Sequence, residues 1–237
     1  MTTTDISWLS QAIAKYQMPP EAKKLLSDHP PLIICGITAA GKNTVFAEAV
    51  KLGGYQEVVS HTTRAPRHNQ GKEEVDGVSY HFVNDKKISK MVQEHRFIEV
   101  KMVHRHVYGT SMEAYHNPIG VGKTPALIID VQGIEDLVTA VPSLRPVFVL
   151  PPDFATWHAR LIHRGDIAAT DYISRLESAI MEIGIVTKNP AFQLVINDEV
   201  SHAARSIQAG QADRSADKLA IMNDLLQHIK SELEKLR

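Results

Sequence analysis

The chain has 237 residues, 43% of them hydrophobic and 22% charged, and its 26 lysines and arginines almost cancel 27 acids to leave a formal charge of -1. This balance describes a globular chain with a full core and excludes a wholesale binder of nucleic acid or of an anionic membrane surface. A single cysteine, Cys35, excludes an internal disulfide framework and fits a reducing compartment, the cytoplasm. No apolar run reaches the ~18–20 residues of a membrane span, and the N-terminus lacks the basic and apolar regions of a secretory leader.

In chain order, Ile6, Leu9, Ile13 and Tyr16 step by three and four residues, which predicts an amphipathic helix over 4–17. Pro19 and Pro20 end it, and a further turn or two is expected over Glu21–Ser27. Residues 1–30 read as a helical extension that docks on the main domain or meets a partner. The run Leu32–Cys35 is a buried parallel strand, and it passes into Gly36-Ile37-Thr38-Ala39-Ala40-Gly41-Lys42-Asn43-Thr44. Strand, glycine loop, lysine and helix together are the context a phosphate loop requires. Backbone N–H groups, the helix N-terminus and Lys42 then converge on phosphate oxygens. The position after the lysine departs from the motif, which has Ser or Thr there to ligate Mg2+; here it is Asn43. Cys35, on the strand itself, reads as a small buried hydrophobe.

The helix runs to about Lys51 and stops at Gly53-Gly54. A second strand is expected over 57–61, followed by Arg64 and Arg67 either side of a proline, two cations able to fork onto one phosphate. Residues 68–76 read as a loop, 77–83 as an alternating strand, and 85–95 as a helix with Asp85 as N-cap. Another strand covers 96–103. It carries Glu99 among apolar residues, a carboxylate able to accept from adjacent N–H groups. Tyr108-Gly109-Thr110 reads as a turn and Ser111 as the cap of a short helix; Tyr80 and Tyr108 both offer hydroxyls. Gly120-Val121-Gly122-Lys123-Thr124 imitates a phosphate loop but leads into a strand, and reads as a plain turn. The run 126–131 is a central parallel strand with Asp130 at its carboxyl edge, where α/β sheets place ligands. Helix over 132–140, strand over 146–150, helices over 153–162 and 174–186, and a last strand over 193–196 follow. His104, His106, His158 and His163 form no metal-ligand pattern. From about Ser215 the tail is helical, with an apolar seam of Leu219, Met222, Leu226, Ile229, Leu233 and Leu236 that packs on the parent domain or on a partner.

Taken in order, these motifs resemble the guanylate kinase family. The resemblance covers roughly residues 31–198. It rests on residues 36–44, Ser60-His61-Thr62-Thr63-Arg64-Ala65-Pro66-Arg67, Glu74 to Val83, Phe97-Ile98-Glu99, Tyr108-Gly109-Thr110, Ile129-Asp130-Val131-Gln132-Gly133, Arg160-Leu161 with Arg164-Gly165, Arg175-Leu176 and Ile196-Asn197-Asp198. It implies an α/β fold: a P-loop NTPase-type parallel sheet flanked by helices (31–61, 125–150, 180–199), a small mixed-β GMP-binding subdomain (62–124) and a helical lid (151–179), followed by a helical tail (200–237). It also implies phosphoryl transfer from ATP to GMP with Mg2+; the apolar seam of the tail leaves a monomer or a homodimer open. In that scheme residues 36–44 and Asn197 bind ATP, while Arg64, Arg67, Tyr80 and Tyr108 hold the GMP phosphate. Ser60, Glu99 and Thr110 read guanine, with Asp130 also on the GMP side. Lys42, Arg64, Arg160, Arg164 and Arg175 serve catalysis, and Asn43 and Asp130, the latter through water, face the metal. The chain departs from the family at Asn43, at Ile128, where the strand usually carries a first acid, and in a longer loop at 68–73. A weakened or purely binding relative, or a kinase with another acceptor, stays open on sequence alone.

Overall fold

The computed structural model describes residues 3–69, 72–103, 105–163 and 169–236. In chain order its elements are α1 (Thr3–Ala14), α2 (Pro20–Asp28), β1 (Leu32–Cys35), α3 (Lys42–Lys51), β2 (Tyr55–Glu57), β3 (His61–Thr62), β4 (His68–Asn69), β5 (Lys72–Glu73), β6 (His81–Phe82), α4 (Asp85–Gln93), β7 (Phe97–Val103), β8 (His106–Ser111), α5 (Met112–Gly120), β9 (Thr124–Ile128), α6 (Val131–Ala140), β10 (Val147–Leu150), α7 (Phe154–Ile162), α8 (Ala169–Lys188), β11 (Gln193–Ile196), α9 (Val200–Gln208) and α10 (Ala216–Lys235). They fall into two compact units. The first comprises Met1–Pro31, Gln56–Pro125 and Thr139–Val141, and the second Leu32–Tyr55, Ala126–Val138 and Pro142–Arg237.

The second unit is built on a five-stranded sheet ordered β11-β10-β1-β9-β2. β1 pairs in parallel with β10 and with β9, and β10 with β11. Every residue of β1 and β10 is buried, as their unbroken apolar runs predict for strands covered on both faces. The carboxyl ends of β1, β9 and β11 carry the glycine loop, Asp130 and Asn197. The tail helix α10 packs on α7 and α8 of its own chain and buries Met222, Leu225, Ile229 and Leu233. The expected seam is rotated: Leu225 replaces Leu226, and Leu236 is exposed. α9 lies in the expected helical tail (200–237) but before the helix read from about Ser215; its buried stripe is two alanines and one isoleucine, Ala203, Ala204 and Ile207, a weak apolar signal.

The first unit holds a four-stranded mixed sheet ordered β6-β3-β8-β7, with β3 and β6 parallel and the β3–β8 and β7–β8 pairs antiparallel. Tyr108-Gly109-Thr110 is not a turn but the middle of β8. A Cβ on Gly109 would lie 2.9 Å from the Phe97 ring and 3.0 Å from the Glu99 carbonyl oxygen, so close packing explains this glycine. The strand expected over 77–83 shrinks to β6, because Gly77 N–H bonds the Tyr80 carbonyl at 2.8 Å and closes a turn. The loop 68–76 contains the β4–β5 hairpin. Asn84, not Asp85, caps α4, accepting from Lys87 N–H at 2.9 Å. Ser111 caps α5 as expected. Leu9 and Ile13 of α1 join Ile88, Met91 and Val92 of α4 and Phe97, Val100 and Val107 of the sheet in one buried cluster. The N-terminal extension is therefore docked on this unit.

Candidate active site

In the second unit the chain leaves β1 into a loop that is braced from outside. Gly36 is packed so tightly that a Cβ would lie 2.7 Å from the Val149 carbonyl oxygen. Ala39 (φ 65°) and Gly41 (φ 86°) both take left-handed backbone angles. A Cβ on Gly41 would also run into the Asn197 amide. The loop's carbonyls are tied by buried side chains: Trp157 Nε1–H donates to Thr38 O at 2.8 Å, and Asn197 Nδ2 donates to Ala40 O at 2.8 Å. The loop leads into the N-terminus of α3, whose first residue is Lys42, and a glycine-containing loop with a lysine at a helix N-terminus is suited to an anion.

Charge is arranged around it. Arg160 of α7 donates from Nη2 to Asn197 O at 3.2 Å, and its Nη1 is buried with no partner among the described residues. That nitrogen would lie 4.0 Å from a Cβ on Gly41. An orphaned guanidinium donor beside the loop suits an anion there. Asn197 is buried beneath the loop, with its Oδ1 unpartnered among the described residues. Asn43 and Thr44 are exposed in the first turn of α3. Ile128, at the end of β9, is 37% exposed. Asp130 is exposed and accepts from Gly133 N–H at 2.5 Å, which caps α6. Arg175 is half-buried on α8, and Arg164 lies outside the described residues. Glu182 of α8, missed in the sequence reading, is pushed up to about 7 by burial; Lys42 opposes that rise and Asp130 adds to it. Burial pushes the Cys35 thiol well up, consistent with a core role.

In the first unit two clusters form on one face of the mixed sheet. Thr110 Oγ1 donates to Glu99 Oε1 at 2.7 Å and lies 3.1 Å from Ser60 Oγ. The three expected guanine readers are thus one hydrogen-bonded row. Beside them Arg64, only 6% exposed, donates from Nη1 and Nη2 to the two carboxylate oxygens of Glu74 at 2.8 and 2.9 Å. It also donates from Nε to Tyr108 Oη at 3.0 Å and from Nη1 to Ala65 O at 2.8 Å, and its guanidinium sits 5.4 Å from the Tyr80 ring centre. Tyr80 and Tyr108 meet edge to face at 5.8 Å. Glu74 also accepts from Arg67 N–H at 2.8 Å, while the Arg67 side chain is exposed. The Arg64 guanidinium holds the Glu74 carboxyl below its usual range. Glu74, Tyr108 and Ala65 together take four of Arg64's five donor hydrogens. Tyr108 accepts from Arg64, so its own proton is available to another acceptor.

On the opposite face, His61 lines a polar cavity of about 200 Å³ with His81, Lys87, Arg96 and the first turn of α5. Its Nδ1 is buried without a partner among the described residues, its ring lies 4.8 Å from that of His81, and burial lowers its pKa to about 4. Glu74, Trp157 and Glu182 are the site-bearing residues the sequence left unmarked. Each acts through a partner that only the fold brings near.

A family model described as guanylate kinase matches residues 28–210. Over 182 residues the chain is 34% identical to the guanylate kinase of Schizosaccharomyces pombe, spanning 76% of this chain and 88% of that one. It is 36% identical over 173 residues to guanylate kinase 1 of Oryza sativa subsp. japonica, which covers 72% of this chain but only 44% of the longer rice protein. Among solved structures, the guanylate kinase of Anaplasma phagocytophilum shares the fold, with a TM-score of 0.54 at 20% identity over 79% of this chain and 88% of that chain.

Proposed function

The chain belongs to the guanylate kinase family, and we propose that it carries out that family's reaction, transfer of the γ-phosphoryl group of ATP to GMP. The observation that carries the proposal is the Ser60–Thr110–Glu99 row beside Arg64, Tyr80 and Tyr108. A carboxylate braced by a hydroxyl is suited to accept from guanine N1–H and the N2 amine, a pair of adjacent donors that adenine lacks. Arg64, the Tyr108 and Tyr80 hydroxyls and the exposed Arg67 would hold the acceptor phosphate.

ATP's phosphates would lie in the braced loop, on its N–H groups and Lys42, with Arg160 Nη1 finding there the partner it lacks. The donor set also fits Mg2+. That ion keeps most of its waters and takes few protein oxygens, so the exposed Asn43 amide, and the Asp130 carboxylate through water, would hold it beside the phosphates. When bound, it would neutralise phosphate charge. Phosphoryl transfer passes through a loose, highly charged transition state, so the side chains serve position and charge and no general base is needed. Arg64 and its tyrosines would position the acceptor phosphate; Lys42, Arg160, Arg164 and Arg175 would offset charge on the moving group. We assign residues 151–179 as the lid that excludes water during transfer. The apolar face of α10 is covered by its own chain, which favours a monomer, and no described helix is long and apolar enough to cross a membrane. We place the enzyme in the cytoplasm.

A coupled assay with ATP and a panel of GMP, dGMP, AMP and UMP tests the reading. Turnover with the guanine nucleotides and not with AMP or UMP is expected. Tight GMP binding with no turnover of any acceptor would show a binding protein, and AMP preferred over GMP would remove Glu99 from base recognition.

A further inference from the structure

Glu99 reaches its row because of a defect in β7. Phe97 pairs with Ser111, yet Glu99 pairs with Thr110, so Ile98 is an extra residue with no opposite number. Continued regularly from the Phe97–Ser111 pair, the ladder would set Ile98 opposite Thr110 and Glu99 opposite Gly109. Paired residues share a face, and a slip of one residue turns a strand's side chains over. Glu99 would then join the face of Gly109 and His61, which pair with each other, and leave Ser60 and Thr110. The bulge is what aims this carboxylate.

A bulge leaves backbone groups outside the ladder, and β7 is an edge strand of its sheet, with no further strand beside it among the described residues. At Phe97 both groups are taken by one atom from far upstream. Tyr16 Oη donates to Phe97 O at 2.7 Å and accepts from Phe97 N–H at 3.0 Å. The ring that carries this hydroxyl is itself fixed. It stacks on His95 at 5.6 Å and packs on the cluster that seats Leu9 and Ile13 of α1. Burial also pushes the Tyr16 hydroxyl up to about 12, so it keeps the proton that the bond to Phe97 O requires.

We propose that the N-terminal extension is part of the guanine-reading apparatus, with Tyr16 as the positioning residue whose hydroxyl holds the Phe97–Glu99 bulge in register. The proposal deepens the guanylate kinase reading and rests on it. Tyr16 touches no reacting atom, so its loss acts on the acceptor side and spares ATP.

The test is Tyr16→Phe, which keeps the ring, the stack and the packing and removes only the hydroxyl. Two readouts are taken on folded protein, verified by its thermal midpoint. By NMR, the amides of Phe97 and Glu99 should exchange at least tenfold faster while those of Val100 and Val107 hold. In steady state the KM for GMP should rise about fivefold or more, with the KM for ATP within twofold and the preference for GMP over IMP, which lacks the N2 amine, reduced. His95→Ala, which loosens the stack but leaves the hydroxyl, should show the same pattern more weakly, and serves if Tyr16→Phe does not fold. A lower thermal midpoint with unchanged exchange at Phe97 and unchanged GMP KM would make Tyr16 merely structural and overturn the proposal. Wild-type protein that fails to phosphorylate GMP would overturn the functional reading and this proposal with it. Wild-type activity matched by Tyr16→Phe would overturn only the latter.

Discussion

Glu74 is where the acceptor cluster is most open to attack. Its carboxylate takes three hydrogen bonds, two from Arg64 and one from the Arg67 backbone, and the ion pair is 7% and 15% exposed on its two side chains. Glu74→Gln keeps the volume and removes the charge, which leaves a largely covered guanidinium without its anion. Breaking a deeply buried pair costs about 3–5 kcal/mol. This one keeps some exposure at Glu74, so we set the cost below that range, at about 2 kcal/mol. For a chain of this size that lowers the thermal midpoint by roughly 4–8 °C. A phosphate dianion on Arg64 can replace the missing carboxylate. GMP at about 100 times its Kd raises stability by about 2.7 kcal/mol, and a tenfold tighter Kd adds about 1.4 kcal/mol. The variant without ligand should therefore melt earlier, yet gain more from GMP than wild type at the same concentration. Thermal shift with and without GMP, and calorimetric Kd values, measure both arms. The sign of the pH dependence follows from the depressed Glu74 carboxyl. The native state holds fewer protons than the unfolded one, so the pair's contribution is present above the ordinary carboxylate range and fades as pH falls through the depressed value. Variant and wild type should converge in acid. A drop in midpoint with a GMP-induced gain equal to or below that of wild type would refute the placement of Arg64 at the acceptor phosphate.

Trp157→Phe keeps the aromatic packing and strips Thr38 O of its donor. The KM for ATP should rise about three- to tenfold, the loss of about one hydrogen bond, with the KM for GMP unmoved; an equal rise in both would show a global effect. Asn43→Ser should raise kcat at low Mg2+, and an unchanged Mg2+ dependence would remove Asn43 from the metal. His61, lowered to about 4 by burial, is neutral in the native state, so the unfolded chain binds the extra proton below its ordinary value near 6.5. Wild-type stability should fall between about pH 6.5 and pH 4, by up to roughly 3 kcal/mol, and His61→Leu should flatten that stretch of the curve. Parallel curves would mean that His61 is not the titrating group.

The phosphate loop was legible because its determinants are local. Strand, glycines, lysine and helix follow one another within fourteen residues, Leu32 to Val45, and each is set by its own neighbours. The buried strands β1 and β10 announced themselves for the same reason. The braces of the loop were not legible. Trp157 and Asn197 reach it from 119 and 157 residues away, and nothing in a helix stripe or a strand end says which carbonyl a side chain will meet. Glu74 was visible only as one acid in a polar loop. Its importance comes from a guanidinium ten residues back that the loop folds over.

β8 and Glu99 show the limit most sharply. Tyr108-Gly109-Thr110 looked like a turn because glycine between polar residues usually marks one, but here the missing Cβ makes room for the Phe97 ring. Strand alternation, the rule that finds strands, also assigns Glu99 the wrong face, because it has no way to express an extra residue at Ile98. What holds Phe97, at the start of that irregularity, is a hydroxyl 81 positions earlier, on a segment that reads as an appendage. Motif matching recovers Glu99 because it compares residues in order and needs no assignment of strand face. Physical reading of the strand alone does not, and so it also misses Tyr16. On the proposal above, the segment that follows the N-terminal helix bears on which base the site accepts, although neither its composition nor its periodicity points to a nucleotide.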